Sequence, residues 1–239
     1  MKEKLTQIIL NNEVTLMKSF DNYSLLINAS EIAKEHYHRK PHNTQVNPIG
    51  NIPYEYRVAI EATKIYKGKQ LVKVYDTETK TSATEDYFIR GISICDALLE
   101  DIYEVLLLNE DPQITDGKLE KEVSFYHNKL PMVLLSYMPE HKNNKGLEEV
   151  TIEDYFLQYN IYRQLRHAII HNNGKLKERH KRSIRSTCEK IKIRTGQEYS
   201  IESIPFVKNN KVIVNMELMC IFRMFQLEMI AQLNINLTQ

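Results

Sequence analysis

Tryptophan is absent from these 239 residues, and glycine and proline occur only seven times each. So few chain-breakers exclude a turn-rich all-β fold and favour helices. The three cysteines, Cys95, Cys188 and Cys220, are odd in number, far apart and never in Cys-x-x-Cys spacing. That excludes a disulfide framework and a zinc ribbon, and points to a reducing compartment. Long apolar runs are also missing. Residues 105–108 and 131–138 are the strongest, far below a membrane-spanning length. The N-terminal run Ile8-Ile9-Leu10 is too short for a signal peptide. The expectation is a cytoplasmic protein with no membrane association. A phosphate-cradling glycine loop, Ser-x-x-Lys, Gly-x-Ser-x-Gly and His-Glu-x-x-His are all lacking, which removes the enzyme classes built on them.

The formal net charge of +1 conceals an uneven distribution. Residues 175–194 carry nine Lys/Arg against Glu178 and Glu189, whereas residues 96–120 carry eight acids against Lys118. The basic segment could track a phosphate backbone. It could equally be a solvated helix face neutralised by the acidic segment.

Apolar periodicity predicts one or two helices over residues 1–38, with a break at Asp21-Asn22 and a cap at Ser30. Residues 40–53, with three prolines and Gly50, read as a loop. A helix is expected over 54–66, and a short strand where Gln70–Tyr75 alternates. From Thr84 the pattern is helical: Phe88, Ile92, Cys95, Leu99, Ile102 and Leu106 lie on one stripe that ends before Asp111-Pro112. A second helix over 119–138, bent near Pro131, leads to a polar turn at 141–146. Thr151-Ile152-Glu153-Asp154 has the form of a capping box, and Asn173-Gly174 suits a left-handed helix end. A basic helix over 177–192, a hairpin around Asn209-Asn210 and a helix over 216–233, apolar on almost every face, complete the chain. The expected fold is mostly α: an N-terminal helical extension (1–80) and a helical bundle with a small β-hairpin (84–235).

Chemistry concentrates in Arg166-His167-Ala168-Ile169-Ile170-His171-Asn172-Asn173-Gly174. A guanidinium grips phosphate bidentately, and histidine moves protons near neutral pH. These are the groups that metal-free RNA cleavage requires: a cation for the phosphorane charge, a base for the 2′-hydroxyl and an acid for the leaving 5′-oxygen. An Arg–His spacing alone arises about once by chance in such a composition. Context is therefore decisive: the capped helix before it, the Asn-Asn-Gly ending and the basic segment after it. A histidine in a last turn also has a purely structural use, offsetting the helix dipole. At about 100° per residue, Arg166 and His171 point about 140° apart, whereas Arg163, His167 and His171 share one face. One chain focuses Arg166 and His171 poorly on a single phosphate.

The motif Arg166-His167-x-x-x-His171, with its Asn172-Asn173-Gly174 ending, resembles the Arg-x4–6-His signature of the HEPN superfamily. The likeness covers this helix and, loosely, the helical order from Thr84 to Ile235, but not the first eighty residues. It implies a helical bundle that dimerises so that two motifs share a cleft. It also implies a metal-independent endoribonuclease without cofactors, of the kind found among toxins, abortive-infection proteins and RNA-targeting effectors, some held by an antitoxin or regulatory partner. Arg166, His171 and His167 would be catalytic, with Arg163, Asn172 and Lys175 contacting RNA. Members controlled by nucleotidyltransferase antitoxins carry a tyrosine two residues after the motif histidine. Here that position is Asn173, so that control is not supported. Some members add an acid from an earlier helix; Asp96, Glu100, Asp101 and Glu104 all remain open.

Two other readings compete. The same fold could be a catalytically silent RNA-binding or scaffold protein. Alternatively, His36, His38 and His42 could hold a metal, although the segment leading into them reads as helical rather than as the strand such spacing needs.

Overall fold

The computed structural model describes residues 1–40, 44–47, 50, 52–56, 65–127, 129–138, 150–196 and 198–238. They form seven α-helices: α1 (Lys2–His38), α2 (Gly68–Lys73), α3 (Thr79–Glu110), α4 (Asp116–Tyr126), α5 (Ile152–Asn172), α6 (Glu178–Thr195) and α7 (Met216–Thr238). Two antiparallel pairs accompany them, β1 (Gln45–Val46) with β2 (Tyr66–Lys67), and β3 (Val207–Lys208) with β4 (Lys211–Val212). The chain is mostly α with a small hairpin, as its composition requires.

Two compact units divide the chain, but not at residue 80. One comprises residues 1–19 and 87–239, the other 20–86. The first nineteen residues join the bundle because they bring it apolar surface at helical spacing: Leu5, Ile9 and Leu16 are buried. Asn12 Nδ2 also donates to the Ile94 carbonyl at 3.1 Å, tying this turn of α1 to α3.

In the larger unit the core is aromatic. Tyr162 of α5 presents its ring edge-on to Phe206, Phe222 and Phe225, with centroids 5.5, 5.2 and 4.7 Å away, and Phe88 of α3 closes the cluster 4.7 Å from Phe222. Such geometry adds to simple area burial, because ring edges meet electron-rich faces. On α7, Phe222, Phe225, Met229 and Leu233 face this core, whereas Met216, Ile221, Met224 and Leu227 are exposed. Among the described residues α7 is the one helix whose length and composition would suffice to cross a membrane. Yet Gln226 and Gln232 lie fully buried along it, as in a core helix.

α5 begins and ends where its residues dictate. The Thr151 backbone N–H and hydroxyl both donate to Asp154 Oδ2 at 2.8 Å. Asn173 (φ 50°) and Gly174 (φ 76°) both turn left-handed, and the Gly174 N–H returns to the Ala168 carbonyl at 3.0 Å. Asn209 and Asn210 likewise carry positive φ, as a two-residue hairpin turn between β3 and β4 demands.

In the smaller unit, Lys34 bridges Glu31 (2.7 Å) and Asp76 (3.0 Å), and Lys80 reaches the same two acids. Tyr37 stacks on Tyr75 with ring planes 2° apart.

Several local expectations are overturned. α1 runs unbroken through Asp21-Asn22, and Ser30 is buried within it rather than capping it. Gln70–Tyr75 is helical, not a strand: the Gln70 side chain accepts the Lys67 N–H at 2.9 Å and starts α2, and a π-helical segment, Val74–Glu78, follows. Across these six residues Leu71-Val72 and Val74-Tyr75 are adjacent apolar pairs, so the alternation is not strict enough to define a pleat. No bent helix spans 119–138; α4 stops at Tyr126, and Met132–Tyr137 is a separate 3-10 turn behind Pro131, which lacks the N–H to continue α4. Residues 54–56 form a 3-10 turn, and the described part of the 40–53 loop holds β1. Most of the helix expected over 54–66, and the turn at 141–146, lie outside the described residues.

Gly91 marks the closest approach of α3 to α7. A Cβ there would lie 2.8 Å from Gln226 Nε2 and 3.0 Å from Phe222 Cε1. Both neighbours are buried, so neither can retreat into solvent. Gly91→Ala is expected to cost about 1–3 kcal/mol through overpacking, read as a lower Tm by differential scanning calorimetry; an unchanged or raised Tm contradicts this packing.

Candidate active site

α5 carries the motif and presents different chemistry to its two neighbours. On the side facing α3, Tyr159, Arg163 and Arg166 recur at steps of four and three, and all meet one carboxylate. Asp96 Oδ1 lies 3.0 Å from Arg163 Nε and 2.9 Å from the Tyr159 hydroxyl, which is also 2.9 Å from the Ile92 carbonyl. Arg166 Nη1 approaches Asp96 Oδ2 at 3.7 Å. Of the four acids left open by the sequence, Asp96 is the one joined to the motif arginine. Its position repeats the apolar stripe of α3, four residues after Ile92 and three before Leu99, which is why it is buried.

Arg163 is not turned to solvent. Besides Asp96, Nη1 donates to the Leu130 carbonyl at 2.8 Å and Nη2 to the His127 carbonyl at 3.0 Å, with His127 Nε2 3.3 Å away. His127 Nδ1 in turn pairs with Glu100. Arg163 therefore braces α5 against α3 and the segment after α4, with its Nε, Nη1 and Nη2 all engaged inside the protein. Arg166 is different. Its side chain keeps a third of its surface exposed, and its shielded Nε has no partner among the described residues. Asn172 Nδ2 is likewise shielded and unpartnered. Buried donors without acceptors are costly, about 1–3 kcal/mol each.

The side facing α6 holds the imidazoles. His167 and His171 lie with ring centroids 4.5 Å apart, and His167 Nδ1 is 3.1 Å from Nε2 of His180 on α6. His171 is exposed, His167 half-buried and His180 fully buried. Burial, then the neighbouring His171 and the cations Arg179 and Arg166, hold His167 below the usual histidine range. His180 is lowered for the same first reason, with His167, Arg179 and Lys177 adding repulsion. Arg166 thus leans toward α3 while His167 leans toward α6, as adjacent residues about 100° apart on one helix can.

Beyond the motif the chain is stitched to the hairpin: the Val212 N–H donates to the Gly174 carbonyl at 2.8 Å, and the Leu176 N–H to Asn210 at 2.9 Å. Lys175 projects from this exposed corner. On α6, Lys181 pairs with Glu178, Lys192 with Glu198, and Arg194 with Glu153 and Asp154. No ion pair among the described residues joins segment 175–194 to segment 96–120, so the acidic segment does not neutralise the basic one. Among the described residues, Lys175, Lys177, Arg179, Arg182, Arg185 and Lys190 are exposed and make no direct ion pair. A cleft of about 750 Å³ lies elsewhere, between α3 and α4, lined by Glu100, Glu104, Asp116, Glu120 and His127. Its acidity makes it a poor seat for phosphate.

His36 and His38 fall in the last turn of α1, exposed and, at about 100° per residue, pointing about 160° apart. His42 lies outside the described residues, among which no group of three His, Cys, Asp or Glu could hold a metal ion.

Comparison with protein-family models, with curated proteins and with solved structures gives no match. The HEPN resemblance therefore rests on the motif and its helix. Two residues escaped the sequence reading. Tyr159 stands among the apolar positions of α5, and nothing local in the sequence points to its hydroxyl's partners. His180 was legible in principle, since it stands four residues before Ile184 and eight before Cys188 on the buried stripe of α6.

Because the folded protein disfavours the charged forms of His167 and His180, it binds fewer protons than the unfolded chain just below pH 6.5. Their contribution to stability is complete above the unfolded pKa and is lost as pH falls through the lowered folded values. Urea midpoints are expected to stay level from pH 7.5 to about 6.5 and to fall from there down to pH 5.5; a profile that is flat or rising below pH 6.5 contradicts the burial of this pair.

Proposed function

We propose that this chain is a metal-independent endoribonuclease of HEPN type, acting on RNA by attack of the 2′-hydroxyl on the adjacent phosphorus. The observation that carries the reading is the motif itself: a partly exposed guanidinium whose inner N–H has no partner among the described residues, beside paired imidazoles, opening onto a run of exposed cations. Arg166 would grip the non-bridging oxygens, its approach set by Asp96. A base takes the 2′-proton as the 2′-oxygen bonds to phosphorus. The bond to the 5′-oxygen breaks, and an acid protonates that oxygen. The products are a 2′,3′-cyclic phosphate and a 5′-hydroxyl. His171, the exposed imidazole, is the proton carrier, and the stripe from Lys175 to Lys190 would follow the strand through its phosphates.

The divergence of Arg166 and His171 supports a site completed by a second copy, with the arginine of one chain and the histidine of the other on one phosphate. A homodimer is the partner this reading requires. Toxin or anti-phage defence roles, in the cytoplasm and under an antitoxin or other regulator, fit the same chemistry.

A second reading draws on one observation. His171 lies in the last turn of α5, where a cation offsets the helix dipole without any catalysis. A catalytically silent RNA-binding protein or scaffold would look the same there.

Arg166→Ala and His171→Ala are expected to lower cleavage of single-stranded RNA at least about a hundredfold, with circular dichroism unchanged and wild-type activity insensitive to EDTA. Full activity in folded His171→Ala contradicts this mechanism. A wild type that binds RNA without cutting it favours the silent reading.

A further inference from the structure

His180 lies outside the motif, yet one of its ring nitrogens is aimed at it. The ring is fully buried, with its centroid 5.1 Å from that of His167. At the start of α6, the backbone N–H of Lys177 donates to His180 Nδ1 at 3.2 Å, the contact a capping-box residue makes from the third helical position. The other nitrogen, Nε2, lies 3.1 Å from His167 Nδ1. Arg179 Nε also approaches Nε2, at 3.3 Å. A neutral imidazole has one donor and one acceptor, so it cannot accept from both Lys177 and Arg179. The backbone donor is fixed by the helix, whereas Arg179 is an exposed side chain free to turn away. Nδ1 is therefore the acceptor, and the proton sits on Nε2, pointing at His167 Nδ1.

We infer that His180 is a positioning residue that holds His167 as a neutral, Nε2-protonated imidazole, a fixed hydrogen-bond donor rather than a proton carrier. His167 Nδ1 accepts from His180, so the His167 proton must sit on Nε2. A further proton could enter only at Nδ1, facing the His180 N–H. The charged or chargeable groups that act most strongly on the pair are Arg166 and His171 from α5, and Lys177 and Arg179 from α6; none of these is an acid. In the nuclease proposed above, on which this inference rests, His167 would donate Nε2–H to the phosphate, and proton transfer would fall to His171.

The test is histidine ¹⁵N NMR on the full-length protein without RNA, so it stands whether or not the chain cuts RNA. Wild-type His167 is expected to show a proton on Nε2 and a bare Nδ1. His180→Gln, whose amide can accept from Lys177 and donate to His167, should keep that tautomer. His180→Glu, which can only accept, should move the proton to Nδ1 and raise the His167 titration midpoint by about one pH unit or more. Wild-type His167 with its proton on Nδ1, or an unchanged tautomer in folded His180→Glu, overturns the inference. If His180→Glu does not fold, the wild type and His180→Gln decide it: a changed tautomer in His180→Gln also counts against it. In cleavage assays His180→Gln should stay near wild type, and His180→Glu should lose about a hundredfold, as for one preorganised donor, with a shifted pH–rate profile. An inactive wild type with the expected tautomers removes the nuclease reading and leaves the role of His180 standing.

Discussion

The carboxylate of Asp96 is the constraint on which the motif helix depends. A charge taken out of water must be matched by opposite charge and hydrogen bonds, or the fold gives way. Asp96 is matched three times from one helix face, by Tyr159, Arg163 and, at longer range, Arg166. Removing one partner from such a buried pair costs about 3–5 kcal/mol, so the rotation of α5 about its axis is strongly specified. That rotation decides where every other motif residue points. With Tyr159 and Arg163 locked to α3, His167 and His171 are carried round toward α6, and the exposed part of Arg166 is left beside them.

α5 therefore works as a partition. Its α3 side is bound up in internal contacts, and its α6 side holds titratable rings whose strongest charged neighbours are cations. Repulsion among those groups would oppose their assembly, but burial keeps His167 and His180 neutral and so removes most of it. Electropositive surface and neutral imidazoles next to one another suit a polyanionic substrate: phosphate is attracted, and protons are not held too tightly to be released. The acidic cleft between α3 and α4 lies outside this arrangement and repels the same ligand.

Much of this was legible in the residues. Periodicity located the long helices, Thr151 and Asp154 marked where α5 starts, and Asn173-Gly174 marked where it ends, because caps and left-handed turns depend on a few local atoms. The paired asparagines of the hairpin were legible for the same reason. Failures came where distant contacts decide. Ser30 looks like a cap until the helix continues past it, since burial overrides local preference. Gln70–Tyr75 alternates like a strand, but its side-chain cap and the buried Leu71 make it a helical turn. At the site, the sequence could rank four acids no further, because which one faces Arg166 depends on how α3 packs on α5. It placed Arg163 on the face of His167 and His171, yet a long side chain can sweep round to a buried carboxylate.

In the proposed reaction RNA is cut by its own 2′-oxygen, with Arg166 and His171 assisting. The most direct measurement is the chemistry of the products from an oligoribonucleotide and from the same strand carrying a single 2′-deoxy residue at the cleaved position. A 2′,3′-cyclic phosphate and a 5′-hydroxyl from the first, with no cleavage at the substituted position of the second, are the expected results. A 5′-phosphate product, or cutting that persists at the deoxy position, would contradict the account.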